Sequence, residues 1–330
     1  MIPLRELFLE DKIMNPKYPL AFFAVALAIA AAHPVYAFGP SEFETYTYEQ
    51  FRDYWYSGKG EISRFALKQS RYGEIHEGDA VTVFVTEKVN PVLQVKADDP
   101  GPEDITVMKL NAVRKFFTGI YPYSVMTSVF SPVDVGKHPL PLKISTSVQE
   151  WCGHVWQQMN LRENQYRMES YSYFEKEADR EFQIPASLPE EALWNLVRIA
   201  PATLPLGEFT VIPDMVYNRF QHKEPKPQQA IGRFKAAEGQ SLEGSPLVRY
   251  EVSFPGENRT LAIVFETRFP YRIQSWEDTY APSKITGGEA LTTRADRTHI
   301  LVSAYWEHNR NRDRSMLDKL GLSPRELSSR

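Results

Sequence analysis

The residues best suited to catalysis or metal binding lie in one short segment, Glu150-Trp151-Cys152-Gly153-His154. On a β-strand, Glu150, Cys152 and His154 would face the same way and place a carboxylate, a thiol and an imidazole on one surface. Alternate residues of a strand are about 6.8 Å apart, which is too far for the direct hydrogen bond of a Cys-His nucleophile. A bulge at Gly153 would shorten this distance. The segment therefore gives two hypotheses, a thiol catalyst and a metal site, beside the simpler interpretation that it packs structurally.

Metal binding tolerates this spacing better than thiol catalysis, because alternate residues of one strand can both reach a central ion. Cys152 and His154 would supply two ligands. The candidates for further ligands are His76, within the turn-like segment GEIHEGD, and His222. No spacing in the sequence brings these residues together. The chain also has no GxSxG, HExxH, Walker or GxGxxG motif, so we predict no bound cofactor and favour a protein that is not an enzyme.

Two pairs of carboxylates are a further candidate for chemistry. Glu175 and Glu177 would share one face of a strand, and Glu277 and Asp278 follow Trp276. Two carboxylates about 5–10 Å apart in a cleft would suit glycoside hydrolysis. Charged pairs at strand ends more often belong to the solvated face of an antiparallel sheet, and we interpret them in that way.

Charge and cysteine content exclude some classes of protein. The 330 residues contain 38 Lys and Arg and 42 Asp and Glu, which gives a net charge of −4. The two signs are interspersed without a basic stripe, so nucleic acid is not expected as a partner. Cys152 is the one cysteine, so the chain makes no internal disulfide.

The N-terminal region predicts export. The apolar run Pro19–Ala32 follows Lys12 and Lys17, and Val35-Tyr36-Ala37 places small residues before a cleavage site, as in a secretory signal peptide. We therefore expect residues 1–37 to be removed, with Met14 as an alternative start. The run is shorter than the ~20 residues of a membrane-spanning helix. The cleaved protein is expected in the periplasm or the medium, without a membrane span.

The pattern of the remaining chain indicates a β protein. Eleven segments rich in β-branched and aromatic residues are separated by Gly, Pro, Asn or Asp, as expected for strands: 61–69, 80–87, 105–117, 142–150, 166–177, 209–220, 228–236, 247–254, 260–267, 271–279 and 290–298. Helical patterns cover only 41–55 and 188–199. We predict a mainly β fold in which about eleven strands form a curled antiparallel sheet, a barrel or half-barrel with one or two short covering helices.

The predicted β-rich domain covers residues 38–310. Its halves meet near residues 188–200, either as two units or as one sheet, and residues 311–330 read as a charged, loosely held tail. Aromatic clusters such as Tyr54-Trp55-Tyr56 and Tyr121-Pro122-Tyr123 are expected mostly to fill the core of a curled sheet, and an excess would line a cavity. We therefore favour non-catalytic binding of a lipid or another apolar, envelope-derived ligand. The alternatives are an envelope scaffold whose partner binds a sheet edge and an enzyme that uses the Glu150, Cys152 and His154 face.

Several strings resemble a family of exported proteins from Bacteroidetes-type bacteria, among them YWYSGKGEI at 54–62, RYGEIHEGDAVTVFVTE at 71–87 and SVQEWCGH at 147–154. The resemblance covers most of the chain after residue 37 and implies no known activity. Members of that family often carry the label septum formation inhibitor Maf. True Maf proteins resemble cytoplasmic α/β nucleotide pyrophosphatases with a Ser-Pro-Arg motif near the N-terminus. Here Ser323-Pro324-Arg325 lies in the C-terminal tail, so no activity is transferred from the label.

Overall fold

The computed structural model describes residues 38–282 and 288–322, so the signal peptide expected over residues 1–37 and the Ser323-Pro324-Arg325 string lie outside the described residues. Within the described part of the chain there are sixteen strands: β1 Gly60–Arg71, β2 Glu74–Asn90, β3 Val95–Lys96, β4 Ile105–Thr118, β5 Tyr121–Pro132, β6 Lys143–Glu150, β7 Gly153–Arg162, β8 Gln165–Ser172, β9 Arg180–Pro185, β10 Leu188–Pro189, β11 Gly207–Ile212, β12 Gln228–Gln240, β13 Pro246–Phe254, β14 Arg259–Glu266, β15 Ile273–Tyr280 and β16 Leu291–Ser303.

All sixteen strands belong to one sheet. Its order is β10-β11-β12-β13-β14-β15-β16-β1-β2-β4-β5-β6-β7-β8-β9, with β3 paired to β2. Every pairing is antiparallel except β10 with β11. The N-terminal and C-terminal halves of the chain meet where β1 pairs with β16, from Gly60 opposite Ser303 to Lys68 opposite Arg294. The topology therefore joins both halves in a single curled sheet, and the predicted mainly β class is confirmed.

The described residues also contain three α-helices, α1 Tyr48–Trp55, α2 Ala192–Ile199 and α3 Met215–Gln221. Seven of the eight residues of α2 are buried. Because a helix that is buried on nearly all sides must be surrounded by protein, α2 lies inside the curl of the sheet. Its side chains join one core with inward-facing residues from both halves of the sheet.

Two fully buried ion-pair clusters fix α2 to the sheet. Arg198 donates two hydrogen bonds, of 2.5 and 2.7 Å, to the carboxylate of Glu61 on β1, and Tyr54 donates a third. Just before α2, Glu190 accepts two hydrogen bonds from Arg259 of β14. The helix is therefore tied to both halves of the sheet by charged groups that have no contact with water.

Three local predictions differ from the structure. The predicted strand over residues 209–220 ends at Ile212, and α3 follows because Asp214 accepts a hydrogen bond from Tyr217 N at 2.8 Å and caps a new helix. The helix predicted over 188–199 begins only at Ala192, after β10. The C-terminal tail forms a 3-10 helix, Asn311–Leu320, that packs Leu320 against Ile62 of β1. Thus at least the first part of the tail is held by the sheet.

The interior of the curl is almost completely filled. A cavity of about 30 Å³ lies inside, lined in part by Glu191, Trp194 and Trp276, and it has room for about one water molecule. The bulk of the aromatic excess therefore packs the core, since Trp55, Phe65, Phe84 and Phe254 are all nearly inaccessible. No helix in the described part of the chain is long and apolar enough to cross a membrane.

Candidate functional site

The segment that sequence reasoning ranked first is a hairpin turn. Glu150, the last residue of β6, pairs with Gly153, the first of β7, so Trp151 and Cys152 form a two-residue loop. The expectation that Glu150, Cys152 and His154 share one strand face is therefore wrong, because the chain reverses between them. Gly153 is required for packing rather than for a bulge, since a Cβ there would lie 2.5 Å from Cγ of Tyr173.

The Cys152 thiol lies at the solvent-exposed tip of this hairpin. Its backbone N–H donates to Oε2 of Glu150 at 2.6 Å. Hydrogen bonding to Glu150 and the charge of that carboxylate raise the pKa of Cys152. A nucleophilic cysteine needs the opposite shift, because the thiolate is the reactive form. His154 is likewise exposed, so the segment does not assemble a thiol catalyst.

The metal-site hypothesis also finds no assembled ligand set. His76 lies on β2 rather than in a turn, and its Nε2 is 3.0 Å from the backbone carbonyl oxygen of Arg71. His222 lies at the C-terminal end of α3 with a left-handed backbone. Among residues 38–282 and 288–322, no group of three or more His, Cys, Asp or Glu residues is arranged to hold a metal ion.

A cleft of about 470 Å³ brings together two residues that the sequence had left apart, Glu177 and His222. The cleft lies between β8 and β9 on one side and the end of α3 on the other, and we call it the β8–α3 cleft. Its walls include the rings of Phe174 and Phe182, and its rim carries Arg180. Residues 173–179 form a loop between β8 and β9, so Glu175 and Glu177 do not share a strand face as predicted.

Glu177 is the centre of the hydrogen bonds in this cleft. Its Oε1 lies 2.6 Å from Nδ1 of His222, and its Oε2 accepts from the Ser172 hydroxyl at 2.7 Å. Burial opposes ionisation of Glu177, but these hydrogen bonds and the Arg219 charge outweigh it and lower the pKa of the carboxyl. Glu177 is therefore ionised at neutral pH and orients the imidazole.

The deepest part of the cleft is lined by polar side chains that are more than nine-tenths buried. Asn218 and Arg219 come from α3, and Gln157 comes from β7. Gln157 donates to the Ser170 hydroxyl at 3.1 Å, and Asn218 donates to the Pro213 carbonyl oxygen at 3.0 Å. Within the described residues, Gln157 Oε1, Asn218 Oδ1 and Arg219 Nε have no hydrogen-bond partner. Buried polar groups are normally satisfied, so this floor has unused bonding capacity.

The second pair of carboxylates is structural. Asp278 of β15 accepts from Arg259 at 2.7 Å in the buried cluster next to α2. Glu277, one residue earlier, accepts from Arg249 and Arg294 at 2.8 and 2.5 Å. Because successive residues of a strand point to opposite faces, these two carboxylates serve opposite sides of the sheet and do not form a catalytic pair.

Sequence reasoning missed Arg219 and Phe182 of the cleft. Arg219 fell within a segment assigned to a strand, and Phe182 fell between the predicted strand over 166–177 and the predicted helix over 188–199. The Pro213-Asp214 dipeptide before MVYNRF was the available signal for a helix, because Asp is a preferred N-cap residue. No sequence signal would have placed β9 beside α3.

Comparisons with known proteins give little further identification. No family model matches the chain, and no curated protein matches it. Among solved structures, the chain is similar to a β-barrel-like protein of the domain of unknown function DUF1849 from Brucella abortus. The two share 8% sequence identity at a TM-score of 0.45, over 74% of this chain and 97% of that chain.

Proposed function

We propose that this chain is a non-catalytic binding protein that holds a small apolar or amphipathic, envelope-derived ligand in the β8–α3 cleft. The observation that carries the proposal is the cleft itself, whose volume of about 470 Å³ lies within the ~300–1,000 Å³ typical of small-molecule sites. Phe174 and Phe182 supply apolar surface, and the buried polar floor supplies hydrogen-bonding groups. The cavity next to Trp194 and Trp276, in contrast, has room for about one water molecule.

Binding is favoured over catalysis by the arrangement of the polar groups. A Ser-His-carboxylate triad requires the serine hydroxyl to contact the imidazole. Here Ser172 donates to Glu177 instead, so the carboxylate lies between the serine and His222. The scaffold alternative has weaker support, because the edge strand β9 carries Arg180, Glu181 and Pro185, which are residues that discourage pairing with another chain.

An apolar fluorescent probe tests the proposal. N-phenyl-1-naphthylamine should become strongly fluorescent on binding the full chain. Phe182→Ala should weaken its affinity about tenfold, because the ring supplies buried apolar contact. The matched control is Leu242→Ala, which removes an exposed apolar side chain outside the cleft. No fluorescence gain, or equal losses in the two variants, would contradict binding in this cleft.

We also propose that the protein is exported to the periplasm or the medium, on the basis of the apolar run Pro19–Ala32 and the small residues before Phe38. N-terminal sequencing of the protein recovered from envelope and medium fractions should give a chain that starts at Phe38. Recovery of the uncleaved chain from the cytoplasm would contradict export.

A further inference from the structure

Arg219 is the buried cation of the β8–α3 cleft, and its charge is only partly compensated. Its side chain is 4% exposed, and its guanidinium lies 4.2 Å from the centre of the Phe174 ring. Its ion pair with Glu177 spans 3.5 Å between Nη1 and Oε1. Good charge-assisted hydrogen bonds measure about 2.7–2.9 Å, so this contact is a weak one.

The weak contact has a geometric reason, since both oxygens of Glu177 are engaged elsewhere, with His222 and Ser172. An ionised carboxylate can only accept, so the hydrogen bond places a proton on Nδ1 of His222. The 3.3 Å contact between Arg219 Nη1 and this same Nδ1 therefore joins two donors and contributes no hydrogen bond. Arg219 Nε has no partner in the described part of the chain.

A second buried cation strengthens the positive potential near the cleft. Arg71 of β1 is 8% exposed and donates to the Phe220 carbonyl oxygen and to the Tyr72 hydroxyl, at 3.0 and 3.3 Å. It forms no ion pair with any residue in the described ranges. Burial lowers the pKa of Arg219, Glu177 offsets this only in part, and the Arg71 charge lowers it further. Arg71 thus adds a second buried positive charge close to Arg219, and Glu177 pairs with Arg219 alone of the two.

We propose that the ligand of the β8–α3 cleft is an amphipathic anion whose carboxylate or phosphate head binds the Arg219 guanidinium while its apolar part lies against Phe174 and Phe182. The inference rests on the proposed function and adds the chemical class of the ligand. A planar guanidinium matches both head groups in charge and geometry. At the mouth of the cleft, Arg180 is paired with Glu224 at 2.5 Å and Lys176 is next to Glu175 in the chain, so the buried Arg219 supplies the attraction for the anionic head.

Matched amphiphiles test the head group. The delipidated full chain is titrated calorimetrically with decanoate, decanol and decyltrimethylammonium, which share a chain length but differ in charge. Decanoate should bind at least about tenfold more tightly than decanol. Its carboxylate forms a charge-assisted hydrogen bond with the buried Arg219 guanidinium, which the uncharged decanol cannot form. The cationic amphiphile should bind most weakly.

Two variants separate this role of Arg219 from a structural one. Arg219→Gln should abolish the preference for decanoate over decanol. Glu177→Gln should increase decanoate affinity severalfold, because it removes the carboxylate that competes for Arg219, and misfolding cannot mimic a gain. Arg167→Gln on β8 is the matched control and should change neither affinity, since Arg167 is exposed and outside the cleft.

The outcomes distinguish the two proposals. Equal binding of decanoate and decanol would overturn the anionic head group and leave ligand binding in the cleft intact. Failure of all three amphiphiles to bind would overturn the proposed function as well. Inorganic phosphate that binds as tightly as decanoate would show a site for a free anion and overturn the amphipathic ligand.

Discussion

Two neighbouring glutamates before α2 are both buried and have raised pKa values, to about 7 for Glu190, but they differ in their partners. Glu190 pairs with Arg259, whereas Glu191 accepts only the backbone N–H of Met215 at 2.8 Å and has no partner for Oε2 within the described residues. Burial, with the charge of Asp214 nearby, raises the pKa of Glu191 well above its usual value. Burial and the Asp214 charge therefore favour the protonated form of the Glu191 carboxyl.

Glu191→Gln should remove a pH-dependent contribution to stability. A carboxyl with a raised pKa in the folded state stabilises the protein fully below the unfolded pKa of about 4.3, and this contribution is lost as pH rises toward the folded pKa. Urea unfolding should therefore show a smaller loss of stability between about pH 5 and about pH 8 in the variant than in the parent. An unchanged pH dependence would show that Glu191 is ionised in the folded protein.

The matched variant Glu190→Gln should destabilise the protein at neutral pH. It breaks a buried ion pair and leaves Arg259 with Asp278 alone, which should cost about 3 kcal/mol at neutral pH. Equal effects of the two substitutions would contradict the difference between a carboxyl that is paired with an arginine and one that has no charged partner of opposite sign.

The Cys152 thiol should be accessible to a disulfide reagent but should react with it slowly. Cys152→Ser should leave both stability and probe binding unchanged, because the side chain is exposed and outside the cleft. In the native parent, one thiol should react with a disulfide reagent, and Glu150→Gln should accelerate the reaction by lowering the thiol pKa. A native thiol that resists the reagent would contradict its position at the hairpin tip.

At the scale of elements, the helix α2 depends on its buried charges as well as on apolar packing. Arg198→Met should cost about 3–5 kcal/mol, because it leaves the buried Glu61 carboxylate without its cation. Urea unfolding gives the measurement. The control Arg167→Met breaks an ion pair of 56% and 68% exposed side chains and should cost less than about 1 kcal/mol. Similar costs would contradict the buried position of the pair.

The sequence predicted elements well where apolar and polar residues alternate clearly. Each of the eleven predicted segments contains all or part of a strand. The strands β3, β5, β7, β9 and β10 were missed, and of these β5 and β7 are long. Both β5 and β7 begin directly after a tight turn that follows a predicted strand. Both also carry buried polar residues, Thr127 on β5 and Gln157 on β7. Buried polar residues interrupt the alternation on which strand prediction depends.

At the scale of the whole molecule, the pairing of β1 with β16 makes the two halves one cooperative unit. Leu67 of β1 is 2% exposed and contributes to the common core. Leu67→Ala should lower the free energy of unfolding by about 2–5 kcal/mol. It should also raise the rate of backbone amide hydrogen exchange equally in peptides from β6–β7 and from β13–β14. Faster exchange in one of these pairs alone would show that the halves unfold separately.

The sequence by itself determined the β class and most of the strands, because alternation and composition are local properties of the chain. Only the tertiary structure decided that α2 fills the interior, that Cys152 lies in a chain reversal between Glu150 and His154, and that His222 meets Glu177. The reversal is a local hairpin, whereas the other two depend on strand order, which brings β9 beside α3 and β16 beside β1 across large separations in sequence. Local patterns specify which residues face inward, whereas the pairing of distant strands specifies which of those residues meet.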